Sequence, residues 1–198
     1  MARAKNYDRE KAVEAAMLAF WKKGYGALGV REIESETSIN RFALQTDFGG
    51  KQGLFLEALQ KYLEISDETA LKPLQSGGLT ALISFFRQLA HGEAEDPRDG
   101  GCLMVNTVIE NANLGIDDVS ELTARHYSNM QRMFELALGW AQEEGELAHD
   151  FDLSSAAKML LTFAMGVEVY VRMNGTVSAA SAQVEFLVSQ IESWPLKK

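Results

Sequence analysis

The stretch from residue 30 to residue 55 constrains the fold most, because its pattern predicts two short helices, a tight turn and the start of a long helix. Val30 and Ile33 share one face of the first short helix, whose opposite face is charged. Asn40 is a predicted N-cap, because its side-chain oxygen can accept from the unpaired amides of the second helix. Two short helices joined in this way predict a helix-turn-helix, whose second helix fits the major groove of DNA.

The polar side of the second short helix is the predicted DNA-reading surface. Arginine, asparagine and glutamine side chains hydrogen-bond to base edges or phosphates, and phenylalanine can contact a thymine methyl group. Lys51 adds an ammonium group to the amides at the start of the long helix, which suits a phosphate. The predicted DNA contacts are Arg31, Asn40, Arg41, Phe42, Gln45, Thr46 and Lys51. Asp47 would repel phosphate, so we expect its side chain to point away from the groove. The alternative interpretation is a polar surface helix.

This stretch and the helix before it resemble the TetR/AcrR family of bacterial transcription regulators. The resemblance covers about the first quarter of the chain. Its markers are Ala19, Phe20, Trp21, Lys23, Gly24, Tyr25, Val30, Ile33, Ile39, Leu44, Phe48, Gly49, Lys51, Leu54 and Phe55. The chain departs from the family pattern at Ser38, where members usually have glycine, and at Phe42, where they usually have a small residue. It also departs at Gln45, where an aromatic residue commonly contacts the DNA backbone.

Beyond this stretch, apolar residues recur at helical spacing, and no segment of useful length alternates like a strand. The sequence therefore predicts an all-α fold of about nine helices. The predicted domains are a three-helix helix-turn-helix DNA-binding domain at residues 1–50 and a helical bundle at residues 51–198 that binds a ligand and dimerises. The last two predicted helices, separated at Asn174, carry apolar faces that would form a four-helix interface with a second copy.

The distribution of charge is compatible with DNA binding even though the net charge is −9. Residues 1–50 carry eight Lys/Arg and seven Asp/Glu, which gives +1, and residues 51–198 carry eleven and twenty-one, which gives −10. The acidity therefore lies in the part that faces away from DNA. Arg3 and Lys5, before the candidate cap Asn6, form either a short basic arm or a frayed terminus.

Several classes of protein are disfavoured by composition. No apolar run reaches the length of about 18 residues that spans a bilayer, and the N-terminus is too polar for a signal peptide, so a cytoplasmic protein is expected. The one cysteine cannot form an internal disulfide or a cysteine-based metal cluster, and the three histidines are far apart. We therefore expect no metal site and no cofactor.

Two local patterns add expectations for the C-terminal part. Asp118 and Glu121 have capping-box spacing at the start of a long helix. The helix that begins at Lys51 should end near Pro73, and the acidic loop at residues 91–101 should be exposed and mobile.

A ligand pocket in the bundle should be apolar with a few polar groups. His126 lies on an otherwise apolar stripe and Glu168 in an apolar helix, so each is either a buried group satisfied by a neighbour or a polar contact in such a pocket. The predicted lining residues are Cys102, Asn106, Thr107, His126, Tyr127, Met130, Phe134, Phe163 and Tyr170. Ordinary core packing is the alternative for each of them.

Cys102 follows two glycines at the start of a predicted helix, where the dipole and the unpaired amides would lower its thiol pKa. The resemblance to the TetR/AcrR family adds that some of its repressors carry a cysteine just after such a glycine, which would allow Cys102 to sense electrophiles or oxidants. A lone cysteine that packs as a small apolar residue is the alternative.

Together these patterns and the resemblance favour a ligand-responsive transcriptional repressor. It would bind palindromic double-stranded operator DNA as a homodimer and be released by a small-molecule effector. The competing hypothesis is a small helical ligand-binding protein or enzyme that uses a cavity in the bundle. Against an enzyme, the sequence shows no partnered nucleophile, no paired carboxylates at working spacing and no phosphate-binding glycine loop.

Overall fold

The computed structural model describes residues 7–92 and 96–194, and these ranges contain nine α-helices and no strand, which confirms the predicted all-α fold. The helices are α1 (Arg9–Lys23), α2 (Val30–Thr37), α3 (Arg41–Phe48), α4 (Lys51–Ser66), α5 (Gly78–Leu89), α6 (Leu103–Leu114), α7 (Asp117–Glu143), α8 (Leu153–Asn174) and α9 (Ser181–Glu192). None of these nine combines the length and the apolar character that crossing a bilayer requires. Arg3, Lys5 and Asn6 lie outside the described residues.

Helices α1, α2 and α3 form the head (residues 7–50), which is organised around one apolar core. Phe20 of α1, Ile33 of α2 and Leu44 of α3 meet in this core, and all three are buried. Ile39, in the turn between α2 and α3, is fully buried beside them. The narrow apolar stripe of each short helix therefore packs against the longer α1.

Side-chain hydrogen bonds fix the turn of the helix-turn-helix. The side-chain oxygen of Asn40 accepts from the backbone N–H of Ala43 at 2.8 Å, which confirms Asn40 as the N-cap of α3. The Thr37 hydroxyl donates to the carbonyl oxygen of Ile33 at 2.6 Å and accepts from the N–H of Ile39 at 3.2 Å. The angle between α2 and α3 is thus set by local polar contacts as well as by the core.

Helix α4 carries the chain from the head into the rest of the molecule, but it does not run regularly to Pro73. It changes to a π-helical turn at Asp67–Leu71 and then to a 3-10 turn at Lys72–Gln75. Proline lacks the N–H that a continuing helix needs. The two turns also bury Leu71 and Leu74 in the body core, which compensates for the irregular backbone.

The body, formed by the described residues from 67 to 194, has its own core around Phe86 and Phe134. Helix α6 and the start of α7 are exceptions, because Leu103 and Val119 belong to the head core instead. The apolar packing of the head therefore extends past α4 and joins it to the body.

The expected capping box at the start of α7 is wrong. Asp118 and Glu121 are exposed, and the N-cap of α7 is Ile116, two residues before Asp118, without a side-chain cap. The amide side chain of Asn111 supports this junction instead. It donates to the Ile116 carbonyl oxygen at 3.1 Å and accepts from the Ile116 N–H at 3.0 Å.

The acidic loop at residues 91–101 is more regular than expected. Residues 93–95 lie outside the described part, and Pro97–Gly100 forms a 3-10 turn. The Arg98 guanidinium anchors this turn, with its Nε 2.9 Å from a carboxylate oxygen of Asp96.

Ser38, which ends α2, adopts the left-handed conformation with φ 58°, which is strained for residues with a Cβ. We expect Ser38→Gly to stabilise the protein by about 0.5–1 kcal/mol, because relief of this strain outweighs the greater freedom of glycine in the unfolded chain. Urea denaturation would measure the change. Ser35→Gly, inside α2, is the control and should destabilise by about 1 kcal/mol. Equal destabilisation by both variants would contradict the assignment of strain to Ser38.

Candidate nucleic-acid interface and ligand cavity

Helix α3 buries Leu44 and Phe48 and presents its other side to solvent. The exposed side chains on that side are Arg41, Phe42, Gln45 and Thr46. Phe42 is 76% exposed, so its ring is accessible to a partner of this surface. Arg31 of α2 is exposed as well, whereas the side-chain oxygen of Asn40 is engaged in the cap.

Asp47 is turned toward α1. The Tyr7 hydroxyl donates to its carboxylate at 2.6 Å, and the Arg9 guanidinium donates to its carbonyl oxygen at 3.1 Å. Burial and the bond to Asp47 raise the pKa of Tyr7 to about 12, so the tyrosine stays a donor. Arg9 also pairs with Glu57 of α4 at 2.5 Å. These contacts hold the one acidic side chain of α3 beside Tyr7 and Arg9, at the start of α1.

Two acidic residues of α2, Glu32 and Glu34, are also engaged within the head. The Lys23 ammonium lies 2.5 Å from Glu32, which also accepts from the Gly29 N–H at 2.9 Å. These two contacts lower the pKa of Glu32 and keep it ionised. Glu34 accepts from the backbone N–H of Arg41 at 2.5 Å. Acidic side chains near α3 therefore stabilise its start, and the Arg41 guanidinium remains exposed.

Lys51 connects the start of α4 to the turn after α1. Its ammonium lies 4.4 Å from the ring centroid of Tyr25, a cation–π contact. The backbone N–H groups of Tyr25 and Gly26 both donate to the Glu110 carboxylate of α6, at 2.8 Å and 2.7 Å. Burial lowers the pKa of Lys51, and the nearby Glu110 opposes that shift. One carboxylate of α6 thus holds the loop on which Lys51 packs.

A cavity of about 370 Å³ lies where α1 and α4 meet the body. Its size is within the range of about 300–1,000 Å³ that is usual for small-molecule sites. The lining residues are Met17, Leu18, Trp21, Tyr62, Ile65, Ser66, Thr69, Ala70, Phe85, Gln88, Leu89, Pro97, Arg98, Cys102, Val105, His126, Tyr127, Met130, Ala164, Met165 and Glu168. Both helices that support the head core therefore also form one wall of the cavity.

The structure brings some of the predicted pocket residues to this cavity and places others elsewhere. Those in the lining are Cys102, His126, Tyr127 and Met130. Those outside it are Asn106, Thr107, Phe134, Phe163 and Tyr170. Tyr170 packs against the body core, and Thr107 is buried within α6.

Ring packing explains why the two phenylalanines lie outside the lining, which corrects their predicted place. Phe134 is fully buried with its ring centroid 5.8 Å from that of Phe86, and Phe163 packs on Phe86 at 5.9 Å. The Asn106 amide instead donates to the carbonyl oxygen of Gly100 at 2.9 Å and so holds the start of α6.

The sequence analysis missed the wall that α1 and α4 contribute to the cavity. Trp21 and Tyr62 are absent from the predicted lining, but they line the cavity in a T-shaped pair with ring centroids 5.1 Å apart. Leu18 and Ile65 lie off the buried stripes of α1 and α4 and are partly exposed at the rim. These two apolar residues on otherwise polar faces were the signal that each helix has a second apolar contact.

Polar groups in the cavity are few and strongly perturbed by burial. Burial raises the pKa of Glu168 to about 7, although the Arg98 charge opposes the shift. Burial lowers the pKa of His126 to about 4, so its imidazole is neutral near pH 7. The buried Tyr127 hydroxyl has no hydrogen-bond partner within the described part of the chain. An apolar cavity with such groups has the features of a ligand site.

Comparison with protein families identifies both parts of the chain. Residues 12–58 match the model "Bacterial regulatory proteins, tetR family", and residues 78–186 match "Tetracyclin repressor-like, C-terminal domain". The second match alone spans more than half of the chain. The chain belongs to the TetR family. It is accordingly a DNA-binding transcriptional regulator of the ligand-responsive type.

Individual TetR-family relatives match between 81% and 98% of the chain. The HTH-type transcriptional repressor ComR of Escherichia coli (strain K12) is 24% identical over 98% of this chain and 91% of its own length. The uncharacterised regulator YezE of Bacillus subtilis (strain 168) is 28% identical over 81% and 84%. A cysteine mutant of the TetR-family regulator CifR, solved with 26-base-pair operator DNA, is 25% identical over 98% and 100%, with a TM-score of 0.82.

The prediction of a low thiol pKa for Cys102 is wrong. Burial and the nearby Glu168 carboxylate raise the pKa to about 11. The backbone amides at the start of α6 and the Tyr62 hydroxyl, which donates to the Cys102 Sγ at 3.2 Å, oppose the shift but do not outweigh it. The Cys102 thiol is therefore protonated near pH 7.

We expect Glu168→Gln to stabilise the protein at pH 8 and to have a much smaller effect at pH 5. The folded pKa of Glu168 is about 7, above its ordinary value of 4.5. The penalty for ionising the buried carboxyl is therefore absent below pH 4.5, grows between pH 4.5 and 7, and is complete above pH 7. One pKa unit corresponds to about 1.4 kcal/mol, so a gain of about 1–3 kcal/mol is expected.

Urea denaturation at the two pH values would measure this difference. The exposed Glu144→Gln at the end of α7 is the control and should change stability little at either pH. An equal effect of Glu168→Gln at pH 5 and pH 8 would show that ionisation of the buried carboxyl has no role.

Proposed function

We propose that this chain is a cytoplasmic transcriptional repressor that acts as a homodimer on palindromic operator DNA. A small molecule in the cavity would release the DNA, and no catalytic role is involved. We assign DNA reading to residues 1–50 and effector binding with dimerisation to residues 51–198. The observation that carries the proposal is that α1 and α4 both pack in the core that supports the exposed helix α3 and both line the cavity.

The proposed DNA contacts are the exposed polar groups of α3 with three flanking residues. Arg41 and Gln45 are suited to base edges, and Phe42 to a thymine methyl group. Arg31 and Lys51 are suited to phosphates. Asn40 and Thr46 complete the set, with Asn40 acting chiefly by capping α3.

Two routes link the cavity to this surface. Along α4, Lys51 lies at the head end, and Tyr62 and Ile65 lie at the cavity. Along α6, Cys102 lies at the cavity and Glu110 holds the turn after α1. A ligand that favours a different placement of these helices would change the position of α3, and a coupling free energy of about 1–3 kcal/mol is typical of such systems.

Exposed apolar residues on the last two helices support the proposed homodimer. Met173 of α8 is 73% exposed and Phe186 of α9 is 66% exposed, and Met159 and Val169 of α8 are also exposed. Large apolar residues on two neighbouring helices are typical of an interface between identical subunits. Pairing these helices with a second copy would give the predicted four-helix arrangement.

Arg41→Ala tests the DNA-reading surface. Loss of one base-contacting arginine should cost about 1–3 kcal/mol, which is roughly a 5- to 150-fold weaker operator affinity. Gel shift with DNA from the region flanking the gene would measure it. Arg125→Ala, an exposed arginine of α7, is the control and should bind like the parent protein. Unaltered binding by Arg41→Ala would remove α3 from the mechanism.

Glu110→Gln tests the link through α6. The glutamine has no charge and only one accepting oxygen, so its NH₂ group would face one of the two N–H donors, Tyr25 or Gly26, that the two carboxylate oxygens now bind separately. A hydrogen bond to a charged group contributes about 1.5–3 kcal/mol, so amide exchange in residues 24–29 should accelerate by about tenfold or more. Operator affinity without effector should fall.

Hydrogen–deuterium exchange and gel shift would measure the two effects of this variant. Glu143→Gln, at the end of α7, is the control and should leave both unchanged. Unchanged exchange in residues 24–29 of Glu110→Gln would rule out this carboxylate as a link between body and head.

A further inference from the structure

The charged groups of the cavity leave a surplus negative charge. Arg98 and Glu168 are the charged residues among the described lining. The Arg98 Nε lies 2.9 Å from Asp96, while its Nη1 donates to the Gln88 carbonyl oxygen at 2.9 Å and its Nη2 to that of His91 at 2.7 Å. Asp96 therefore compensates the charge of Arg98, and each guanidinium nitrogen already donates at least one hydrogen bond.

Glu168 has a different environment. Its carboxyl is buried at the junction of α8 with the start of α6, where the backbone N–H of Cys102 acts to lower its pKa and so opposes the effect of burial. The positive charge of Arg98 lowers the pKa of Glu168, but the negative charge of Asp96, which is hydrogen-bonded to Arg98, partly cancels this effect. An ionised Glu168 thus gives the cavity a net charge of about −1 that a ligand can compensate.

The rest of the lining is suited to an organic cation. Trp21, Tyr62, Phe85 and Tyr127 contribute aromatic rings, whose faces attract positive charge. The Tyr127 hydroxyl, which lacks a partner in the described ranges, can accept a hydrogen bond from an ammonium N–H. Negative charge, aromatic rings and a vacant acceptor occur together in one apolar space.

We propose that this cavity binds a lipophilic organic amine in its monocationic ammonium form. The ammonium lies beside the Glu168 carboxylate and the Tyr127 hydroxyl, and the apolar remainder lies among Met17, Leu18 and Ile65. The inference rests on the proposed function, because it names the ligand class of the same cavity. The exposed edge of the cavity is also suited to a lipophilic amine. Leu18 and Ile65 are 45% and 42% exposed there and form an apolar entrance between α1 and α4.

The pH dependence of binding follows from the groups that face Glu168. Its own pKa is about 7. Burial raises the pKa of Tyr62, Cys102 and Tyr127, and His126 stays neutral because burial lowers its pKa to about 4. Among these lining groups only Glu168 changes charge between pH 6 and pH 8, so an amine that stays protonated should bind several-fold more tightly at pH 8.

Calorimetric titration of the full chain without DNA tests the ligand class with three matched probes. These are 4-phenylbutylamine, 4-phenylbutan-1-ol and 4-phenylbutyrate, which share the apolar part and differ in charge. At pH 8 the amine should bind at least about tenfold more tightly than the alcohol, and the carboxylate should bind most weakly. Lowering the pH to 6 should weaken the amine and leave the alcohol unchanged.

Two variants assign the effect to residues. Glu168→Gln should reduce amine affinity to that of the alcohol without changing alcohol affinity, and Glu144→Gln should behave like the parent protein. Tyr127→Phe should weaken the amine several-fold without lowering the melting temperature, because the buried hydroxyl has no partner among the described residues to lose. Equal affinities for amine and alcohol, no binding of the amine at millimolar concentration, or an undiminished amine affinity in Glu168→Gln would overturn the proposal.

A gel shift with the same probes separates this inference from the proposed function. Selective amine binding that leaves the operator complex intact would refute the release mechanism and support the ligand class. Operator binding that depends on Arg41, together with no preference for the amine, would refute the ligand class alone.

Discussion

The packing of α1 against α4 is the contact on which the rest of the structure depends. At the head end, the Phe20 and Phe55 rings pack with centroids 4.8 Å apart inside the core that supports α3. On the next residue of α1 and about two turns farther along α4, Trp21 and Tyr62 pack with ring centroids 5.1 Å apart and line the cavity. Because close-packed side chains transmit strain, a ligand against the second pair acts on the element that positions the DNA-reading surface.

The polar groups that line the cavity contribute less to folding stability than the apolar residues of the cores on either side of it. Glu168 is buried with a raised pKa, His126 is held neutral, and the Tyr127 hydroxyl has no partner in the described part of the chain. Each of these is unfavourable for folding, whereas a complementary ligand would satisfy the carboxyl and the hydroxyl. Local departures from optimal stability of this kind are expected at binding sites.

Local patterns predicted the head well because its signals are short in sequence. The cap at Asn40 and the apolar spacing of Val30 and Ile33 depend on residues three or four apart, and the structure confirms the helices they define. The cavity was predicted less well. Phe134 and Phe163 have the composition of pocket residues, but they pack in the body core, since periodicity does not tell which neighbour a face meets. The π-helical turn after α4 also had no sequence signal.

The sequence by itself determined the helical class, the position of the helix-turn-helix and the residues exposed on α3, because turn chemistry and hydrophobic spacing act over a few residues. Only the tertiary structure decided which helices enclose the cavity and which charges meet there. Glu168 gains its raised pKa, and Cys102 its protonated thiol, from burial between α1, α4, α6, α7 and α8. Such desolvation depends on contacts between residues far apart in the chain, so no local pattern encodes it.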